Sequence, residues 1–272
     1  MKKPVKIFFG IMCAVFVCVF AYSAYRLYNI MHEYHVDAEM NETARSQYVS
    51  LLTPLNQTGG NNDDSGAVLE DSPISVDFDA LKEQNADVVG WIYCEDTRIN
   101  YPVVQGSDND FYLHRFIDGS YSGSGTIFLD CLCPSDFSGR HSILYGHNMN
   151  DGSMFASIRN YRDASYYDEH PIMYLNTPTQ NYKIEIFAGD VVSAFESDIY
   201  SVGFAEDSDF LDLIEKIRSR SSFSSDVEVT ADDRVITLST CTYEYDEARY
   251  VLHGKLVPIG QIVETQEPAP VG

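Results

Sequence analysis

The residues best suited to chemistry lie in the segment Thr237-Leu238-Ser239-Thr240-Cys241. Side chains of a strand alternate between two faces, so Thr237, Ser239 and Cys241 share one face and form a polar row that ends in a thiol. A deprotonated thiol is a strong nucleophile and can carry a covalent acyl intermediate. The pattern therefore predicts nucleophilic chemistry at Cys241.

A second strand-like segment opens with Arg249, after seven residues from Thr242 to Ala248 that are predicted to form a turn. If the two strands pair as an antiparallel hairpin, Arg249 lies beside Cys241. A guanidinium there can stabilise a thiolate, or the oxyanion that forms when the thiolate attacks a carbonyl. The alternative is a small buried cysteine and a surface arginine at a hairpin end.

The third candidate is His147, which directly follows Gly146. Glycine permits a sharp exit from a strand, so His147 is expected on a loop at a strand end, where working residues are common. Its distance along the chain does not count against a partnership with Cys241, because such sites are defined in space. Four other histidines remain alternatives: His114, His141, His170 and His253.

Composition excludes several classes of function. Among 272 residues, 41 are acidic and 18 basic, which gives a formal net charge of -23. No basic cluster beyond the N-terminus could neutralise a phosphate backbone, so nucleic acid is not an expected partner. With Cys241 as a free nucleophile, Cys94, Cys131 and Cys133 permit at most one disulfide bond. Neither a metal site nor an organic cofactor is predicted.

The N-terminal residues have the composition of a membrane anchor. Three lysines within residues 1–6 precede an uncharged run, residues 7–25, which is close to the roughly 20 residues that a helix needs to cross a bilayer. The positive-inside rule predicts that residues 1–6 are cytoplasmic and that the remainder of the chain lies outside the cell membrane. A cleaved signal peptide ending near Ala21 or Ala24 is the alternative.

Three further regions follow this anchor. Residues 26–75 are predicted to form a helical stalk and then a flexible linker rich in Gly, Asn, Asp and Ser. Residues 76–260 form the predicted catalytic domain, and residues 261–272 a disordered tail. Many short strands predict a mainly β domain, a closed barrel or sandwich with helical insertions. The predicted strands are Val88–Tyr93, Tyr101–Gln105, Gly125–Leu129, Ser142–Tyr145, Ile172–Leu175, Tyr182–Val192, Val227–Val229, Val235–Ser239 and Tyr250–Val257.

Three helices are predicted in the same domain. They are Asp77–Gln84, with Asp77 as the capping residue, Ser153–Arg159, and Ser208–Arg220. The apolar face predicted for the last of these helices consists of Phe210, Leu211, Leu213, Ile214 and Ile217.

These segments together resemble the sortases, in particular those of class B. The resemblance is carried by Thr-Leu-Ser-Thr-Cys followed by a strand-opening Arg, by Tyr-Gly-His-Asn-Met and by Asp-Gly-Ser-Met-Phe, and it spans about Asp77 to Val257. It implies an eight-stranded β-barrel preceded by an N-terminal transmembrane helix. The Ser208–Arg220 insertion is similar to the class B elaboration of that barrel.

The resemblance also implies roles for individual residues. It implies catalytic positions for His147, Cys241 and Arg249. It implies substrate-binding positions, in the groove for the sorting signal, for Asn109, Leu113 and Ser239. Many class B members carry an acidic residue directly after the cysteine, whereas this chain has Thr242. Three acidic residues lie nearby, and the sequence selects none of them for a role: Glu244, Asp246 and Glu247.

The activity implied by the resemblance is that of a membrane-anchored cysteine transpeptidase. Such an enzyme cleaves a C-terminal sorting signal through a thioacyl intermediate and joins the surface protein to an amine of peptidoglycan or of its lipid-linked precursor. The alternatives are an extracellular cysteine peptidase or hydrolase, a pilin-linking sortase and a non-catalytic cell-surface module. Papain-like peptidases usually place the cysteine before the histidine, whereas here His147 precedes Cys241.

Overall fold

Two compact units make up the protein, and they divide between Thr43 and Ala44. The computed structural model describes residues 3–52 and 72–260, with side chains from residue 8 onward. The predicted tail and most of the predicted linker lie outside these residues.

The N-terminal unit is formed by most of helix α1 (Lys3–Tyr48). From Phe8 onward this helix is long and apolar enough to cross a membrane, and its most apolar stretch is not buried within the protein. By length and composition, such a helix fits a membrane span or an N-terminal signal sequence.

In the second unit the end of α1 is followed by a small antiparallel pair of strands, β1 (Val49–Leu51) and β2 (Ile74–Val76). Helix α2 (Phe78–Gln84) follows directly. The Asp77 carboxylate accepts a hydrogen bond of 3.0 Å from the Ala80 backbone N–H, which satisfies one of the free donors at the helix start. The predicted helix with its Asp77 cap is therefore confirmed.

A closed barrel of eight strands forms the body of this unit. The strands are β3 (Val88–Tyr93), β4 (Asn100–Val104), β5 (Ile127–Leu129), β6 (His141–Tyr145), β7 (Ile172–Asn176), β8 (Asn181–Ser193), β9 (Arg234–Cys241) and β10 (Ala248–Ile259). Their order around the barrel is β10-β8-β7-β3-β4-β5-β6-β9. Neighbours are antiparallel except for the parallel pairs β4–β5 and β6–β9. The predicted eight-stranded barrel is confirmed.

Helix α4 (Asp207–Arg220) covers the outside of the barrel at β8, β9 and β10. It confirms the predicted insertion, and it buries four residues of the predicted apolar face: Phe210, Leu213, Ile214 and Ile217. The prediction was wrong for Leu211, which is 39% exposed, because it lies away from the side of the helix that meets the barrel. Since α4 covers one face of β9 and the barrel interior covers the other, every residue from Val235 to Thr240 is buried.

Two other predicted elements were wrong. Val227–Val229 does not form a strand, and both valines pack against the apolar cluster beneath α4. The Arg218 guanidinium donates a hydrogen bond to the Val227 carbonyl, which in a sheet would have accepted one from a neighbouring strand. The predicted helix Ser153–Arg159 is a 3-10 helix over Ala156–Arg162. A short helix, α3 (Ala164–Glu169), follows it and was not predicted.

A chain of buried hydrogen bonds runs beneath α4 and involves two of the alternative histidines. His141 donates from Nδ1 to the Ser201 carbonyl at 2.7 Å, so its Nε2 accepts from the Thr237 hydroxyl at 2.6 Å. The Thr237 oxygen in turn accepts from His253 Nδ1 at 2.8 Å. Burial lowers the pKa of His141 to about 4 and that of His253 to about 3, the latter with a contribution from His141. Both imidazoles are therefore neutral near pH 7.

The neutral histidine pair predicts a loss of stability in mild acid. Below the usual histidine pKa of 6.5 the unfolded chain binds protons that the folded state excludes, so the free energy of unfolding should fall as the pH drops from about 6.5 towards 5. The expected slope is about 1.4 kcal/mol per pH unit for each histidine. Urea unfolding at several pH values measures it. The variant His253→Gln should show a slope smaller by about 1.4 kcal/mol per pH unit, and an unchanged slope would contradict the assignment.

Candidate active site

A cleft of about 470 Å³ opens where β9 ends, and it gathers all six residues that the sequence analysis selected. These are Asn109, Leu113, His147, Ser239, Cys241 and Arg249. The opposite wall belongs to the connection between β8 and α4, which contributes Ala194, Phe195, Ser197 and Tyr200. The barrel thus brings together side chains that are far apart along the chain.

Cys241 and Arg249 lie directly opposite each other in the β9–β10 hairpin. The Thr242 N–H donates to the Ala248 carbonyl at 3.0 Å, so that neighbouring pair is hydrogen-bonded. The Cys241–Arg249 pair is therefore of the non-hydrogen-bonded type, in which the Cα atoms are only about 4.5 Å apart. The Cys241 thiol is free and half-buried.

The Arg249 guanidinium is held at the rim of the cleft by its own hairpin. Its Nη1 donates to the Ala248 carbonyl at 3.1 Å, and its Nη2 pairs with the Glu247 carboxylate at 3.0 Å. Arg249 also lies in the cleft lining and directly opposite Cys241 in the hairpin. Such a group can stabilise negative charge on sulfur or on an oxyanion.

His147 reaches the cleft from the neighbouring parallel strand, β6. Tyr145 lies opposite Ser239, and the Gly146 N–H donates to the Ser239 carbonyl at 3.1 Å. A Cβ atom on Gly146 would lie only 2.7 Å from the Phe155 ring, so glycine is required where the chain turns out of the sheet. His147 therefore lies just beyond the end of β6, and Cys241 lies at the corresponding end of the adjacent strand β9.

The environment of His147 sets both its tautomer and its charge. Its Nε2 donates to the Leu113 carbonyl at 2.8 Å, which leaves Nδ1 as the nitrogen that exchanges a proton. Burial lowers its pKa, and the neighbouring His114 imidazole lowers it further, whereas the bond to Leu113 opposes the shift. The two imidazole rings stack with centroids 5.6 Å apart. Near pH 7 the His147 side chain is therefore mainly neutral.

The other histidines have different surroundings. His114 stacks behind His147 and is exposed, while His141 and His253 are buried beneath α4. His170 stacks on Tyr166, with ring centroids 4.3 Å apart. Of the five histidines considered, His147 is the one in the cleft lining.

A buried carboxylate, Asp130, holds two residues of the cleft lining. It accepts hydrogen bonds from Asn109 Nδ2 at 2.9 Å and from the Tyr145 hydroxyl at 3.0 Å. The Asn109 side-chain oxygen accepts from the Cys131 N–H at 2.9 Å. Both ends of the Asn109 amide are therefore held, and the direction in which its remaining N–H points is determined before any ligand arrives.

Two tyrosines of the cleft lining, Tyr145 and Tyr200, lie beside Ser239 and complete a polar wall. The Tyr200 hydroxyl lies 3.1 Å from Ser239 Oγ, and its ring stacks on that of Tyr145 with centroids 6.3 Å apart. Sequence reasoning selected neither tyrosine as a site residue. Alternation along β6 could have placed Tyr145 near His147, whereas no periodic pattern indicates the path of the loop that carries Tyr200.

Comparison with known proteins identifies the family of the chain. The family model described as the sortase domain matches residues 92–257. Sortase B of Listeria monocytogenes is 35% identical over 243 residues, which cover 88% of this chain and 92% of that protein. Sortase B of Staphylococcus aureus is 32% identical over 184 residues, covering 67% of this chain and 75% of that protein.

Solved structures give the same result. A Staphylococcus aureus sortase B–substrate complex superposes with a TM-score of 0.64 at 31% identity, covering 67% of this chain and 85% of that one. Sortase B from Bacillus anthracis, in complex with AAEK1, gives a TM-score of 0.69 at 31% identity, covering 84% and 99%. Because the family model, the related sequences and the shared barrel all agree, the chain belongs to the sortase family of cysteine transpeptidases, in its class B branch.

Proposed function

We propose that this chain is a membrane-anchored transpeptidase that attaches surface proteins to peptidoglycan. Its donor substrate is a surface protein with a C-terminal sorting signal, and its acceptor is an amine of peptidoglycan or of the lipid-linked precursor. The observation that carries the proposal is the meeting of a free thiol, an imidazole and a guanidinium in one cleft, at Cys241, His147 and Arg249.

The first half of the proposed reaction forms a thioacyl enzyme. The thiol proton of Cys241 passes to Nδ1 of His147, and the thiolate attacks the carbonyl carbon of a threonine in the sorting signal. A C–S bond forms while Arg249 and backbone N–H groups stabilise the oxyanion. When the C–N bond breaks, the leaving amine takes the proton from His147.

The second half transfers the acyl group. The acceptor amine attacks the thioester carbonyl and gives its proton to the neutral His147. A new amide C–N bond forms, the C–S bond breaks, and the departing thiolate recovers the proton from His147. The cycle needs no redox step, and each proton taken up by His147 is returned.

Binding of the sorting signal is assigned to the polar wall of the same cleft. Asn109 offers a fixed amide and Ser239 a hydroxyl, while the Leu113 side chain supplies apolar contact. Pre-organised groups of this kind bind an extended peptide without further loss of side-chain entropy.

The N-terminal helix is assigned to the membrane, with residues 1–6 in the cytoplasm and residues 7–25 spanning the bilayer. Residues 26–75 then act as stalk and linker, residues 76–260 form the catalytic domain outside the cell, and residues 261–272 are its tail. This arrangement keeps the enzyme at the membrane face where donor and acceptor are made. The mass of the mature protein distinguishes a retained anchor from a signal peptide cleaved near Ala24.

The test of the proposed function is a transfer assay with the full chain in detergent. A panel of sorting-signal peptides is incubated with and without candidate wall amines, and the products are identified by mass spectrometry. The expected product is a peptide joined to the amine, formed at the expense of hydrolysis. Hydrolysis that is insensitive to every amine would instead favour a cysteine peptidase, and a preference for lysine of a pilin peptide would favour a pilin-linking enzyme.

A further inference from the structure

A second polar cluster lies next to the catalytic hairpin and involves the residue directly after the nucleophile. The Thr242 hydroxyl accepts a hydrogen bond from Arg162 Nη2 at 2.8 Å and donates to the Glu244 carboxylate at 2.5 Å. Arg162 and Glu244 also form an ion pair. The three side chains close a triangle in which each contacts the other two.

The cluster is partly shielded from water. Thr242 is 5% exposed, and the side chains of Arg162 and Glu244 are each about one-third exposed. The Arg162 guanidinium also lies 5.2 Å from the centre of the Tyr250 ring, a cation–π contact. Although burial opposes it, the bonds from Thr242 and Arg162 lower the pKa of Glu244, so its carboxylate is charged at neutral pH.

The two sides of the triangle belong to the two segments that carry the proposed catalytic residues. Arg162 ends the 3-10 helix Ala156–Arg162, which follows directly on the His147 loop. That loop is closed by a hydrogen bond of 3.0 Å from the Phe155 N–H to the His147 carbonyl. Thr242, Glu244 and Tyr250 all lie on the β9–β10 hairpin, which carries Cys241 and Arg249.

We propose that Arg162, Thr242 and Glu244 form a clamp that holds the Cys241–Arg249 hairpin in register with the His147 loop, and that Arg162 and Glu244 are positioning residues for catalysis. The clamp rests on the proposed function and adds to it the device that aligns the reacting groups. The clamp also gives a role to Thr242, which stands where many class B members carry an acidic residue. In this chain the acidic group sits two residues further along, and the Thr242 hydroxyl bridges it to Arg162.

The alignment matters because reacting groups must be held within fractions of an ångström. A displacement of about 1 Å at a distance from the chemistry can cost up to about 100-fold in rate. The hairpin connection from Thr242 to Ala248 is buried at its two ends and exposed from Tyr243 to Glu247, and the Ala194 N–H donates to the Glu247 carbonyl at 2.9 Å. The Arg162 guanidinium, from the segment that follows the His147 loop, contacts this connection twice, through Nη2 on Thr242 and through Nη1 on Glu244.

The test moves the carboxylate rather than only removing it. Glu244→Thr breaks the clamp, whereas the double variant Thr242→Glu/Glu244→Thr returns a carboxylate to Arg162 from the position next to the nucleophile. Asp246→Thr removes the same charge from an exposed position of the same turn and is the matched control. We expect Glu244→Thr to lower kcat about 10-fold with KM for the donor peptide changed less than about twofold. The double variant should recover most of the loss, and Asp246→Thr should behave as the parent enzyme.

A second variant and a second readout keep the outcomes separable. Arg162→Lys retains the charge but not the planar guanidinium, so it should lower kcat by a factor smaller than that of Glu244→Thr. The rate at which iodoacetamide alkylates Cys241, followed by mass spectrometry of its peptide, needs no substrate and should change in Glu244→Thr and return in the double variant. Full activity and an unchanged alkylation rate in Glu244→Thr would overturn the clamp, as would a loss confined to KM. Failure of the parent enzyme to transfer any peptide would overturn the proposed function instead.

Discussion

Replacing Cys241 by alanine is expected to lower both cleavage and transfer by a factor of about 10⁴ or more. The reason is that the thiol supplies the covalent intermediate, and neither His147 nor Arg249 can replace it as a nucleophile in that position. The measurement is product formation by mass spectrometry over long incubation. Binding of the donor peptide should survive, because Asn109 and Ser239 remain in the cleft wall.

The matched control for this prediction is Cys18→Ala, which removes an exposed thiol from helix α1. It should leave turnover unchanged. Turnover in the Cys241→Ala variant at more than about one-hundredth of the parent rate would be far above what binding and oxyanion contacts alone supply. That result would contradict the assignment of Cys241 as the nucleophile.

Replacing Arg249 by methionine is expected to lower kcat/KM by about 10²- to 10³-fold. Methionine keeps much of the apolar volume but removes the cation that lies opposite Cys241 in the hairpin. Arg249→Lys should recover only part of the activity, since an ammonium restores charge but not the planar fork held by Glu247. Steady-state kinetics with the donor peptide and a saturating amine measures both variants.

Arg140→Met is the control for the loss of a surface cation. The Arg140 side chain is 40% exposed and pairs with Asp207 at the start of α4. If this variant lost as much activity as Arg249→Met, the effect would belong to the overall charge of the protein and not to the cleft. Equal activity of Arg249→Met and the parent enzyme would show that the guanidinium is not needed for the oxyanion.

Local and periodic features were predictable from the sequence. The pairing of Cys241 with Arg249 follows from one hairpin, because only a short turn separates the two strands. Helix α4 follows from apolar residues at helical spacing, and the start of α2 from the capping preference of aspartate. The catalytic roles of His147, Cys241 and Arg249 remain predictions until the variants are measured.

Two local patterns in the sequence led to wrong predictions. Val227–Val229 has the alternation of a strand, yet its backbone pairs with the Arg218 side chain because α4 occupies that side of the barrel. The 3-10 helix at Ala156–Arg162 has no long apolar face of its own, so the sequence placed it three residues too early. At Val227–Val229 a tertiary contact therefore overrides the local pattern.

By itself, then, the sequence determined most of the barrel strands, the apolar N-terminal helix and the pairing of Cys241 with Arg249, because these depend on composition and on spacing within one element or one hairpin. It offered His147 as one of five candidate histidines, and the resemblance to the sortases selected it. Only the tertiary structure decided which histidine reaches the cleft, that the Leu113 carbonyl orients it, and that Tyr200 and Asp130 shape the wall. It alone also joined Arg162 to Glu244. Each of these depends on side chains from separate elements meeting once the barrel closes, and spacing along one strand or helix carries no information about such meetings.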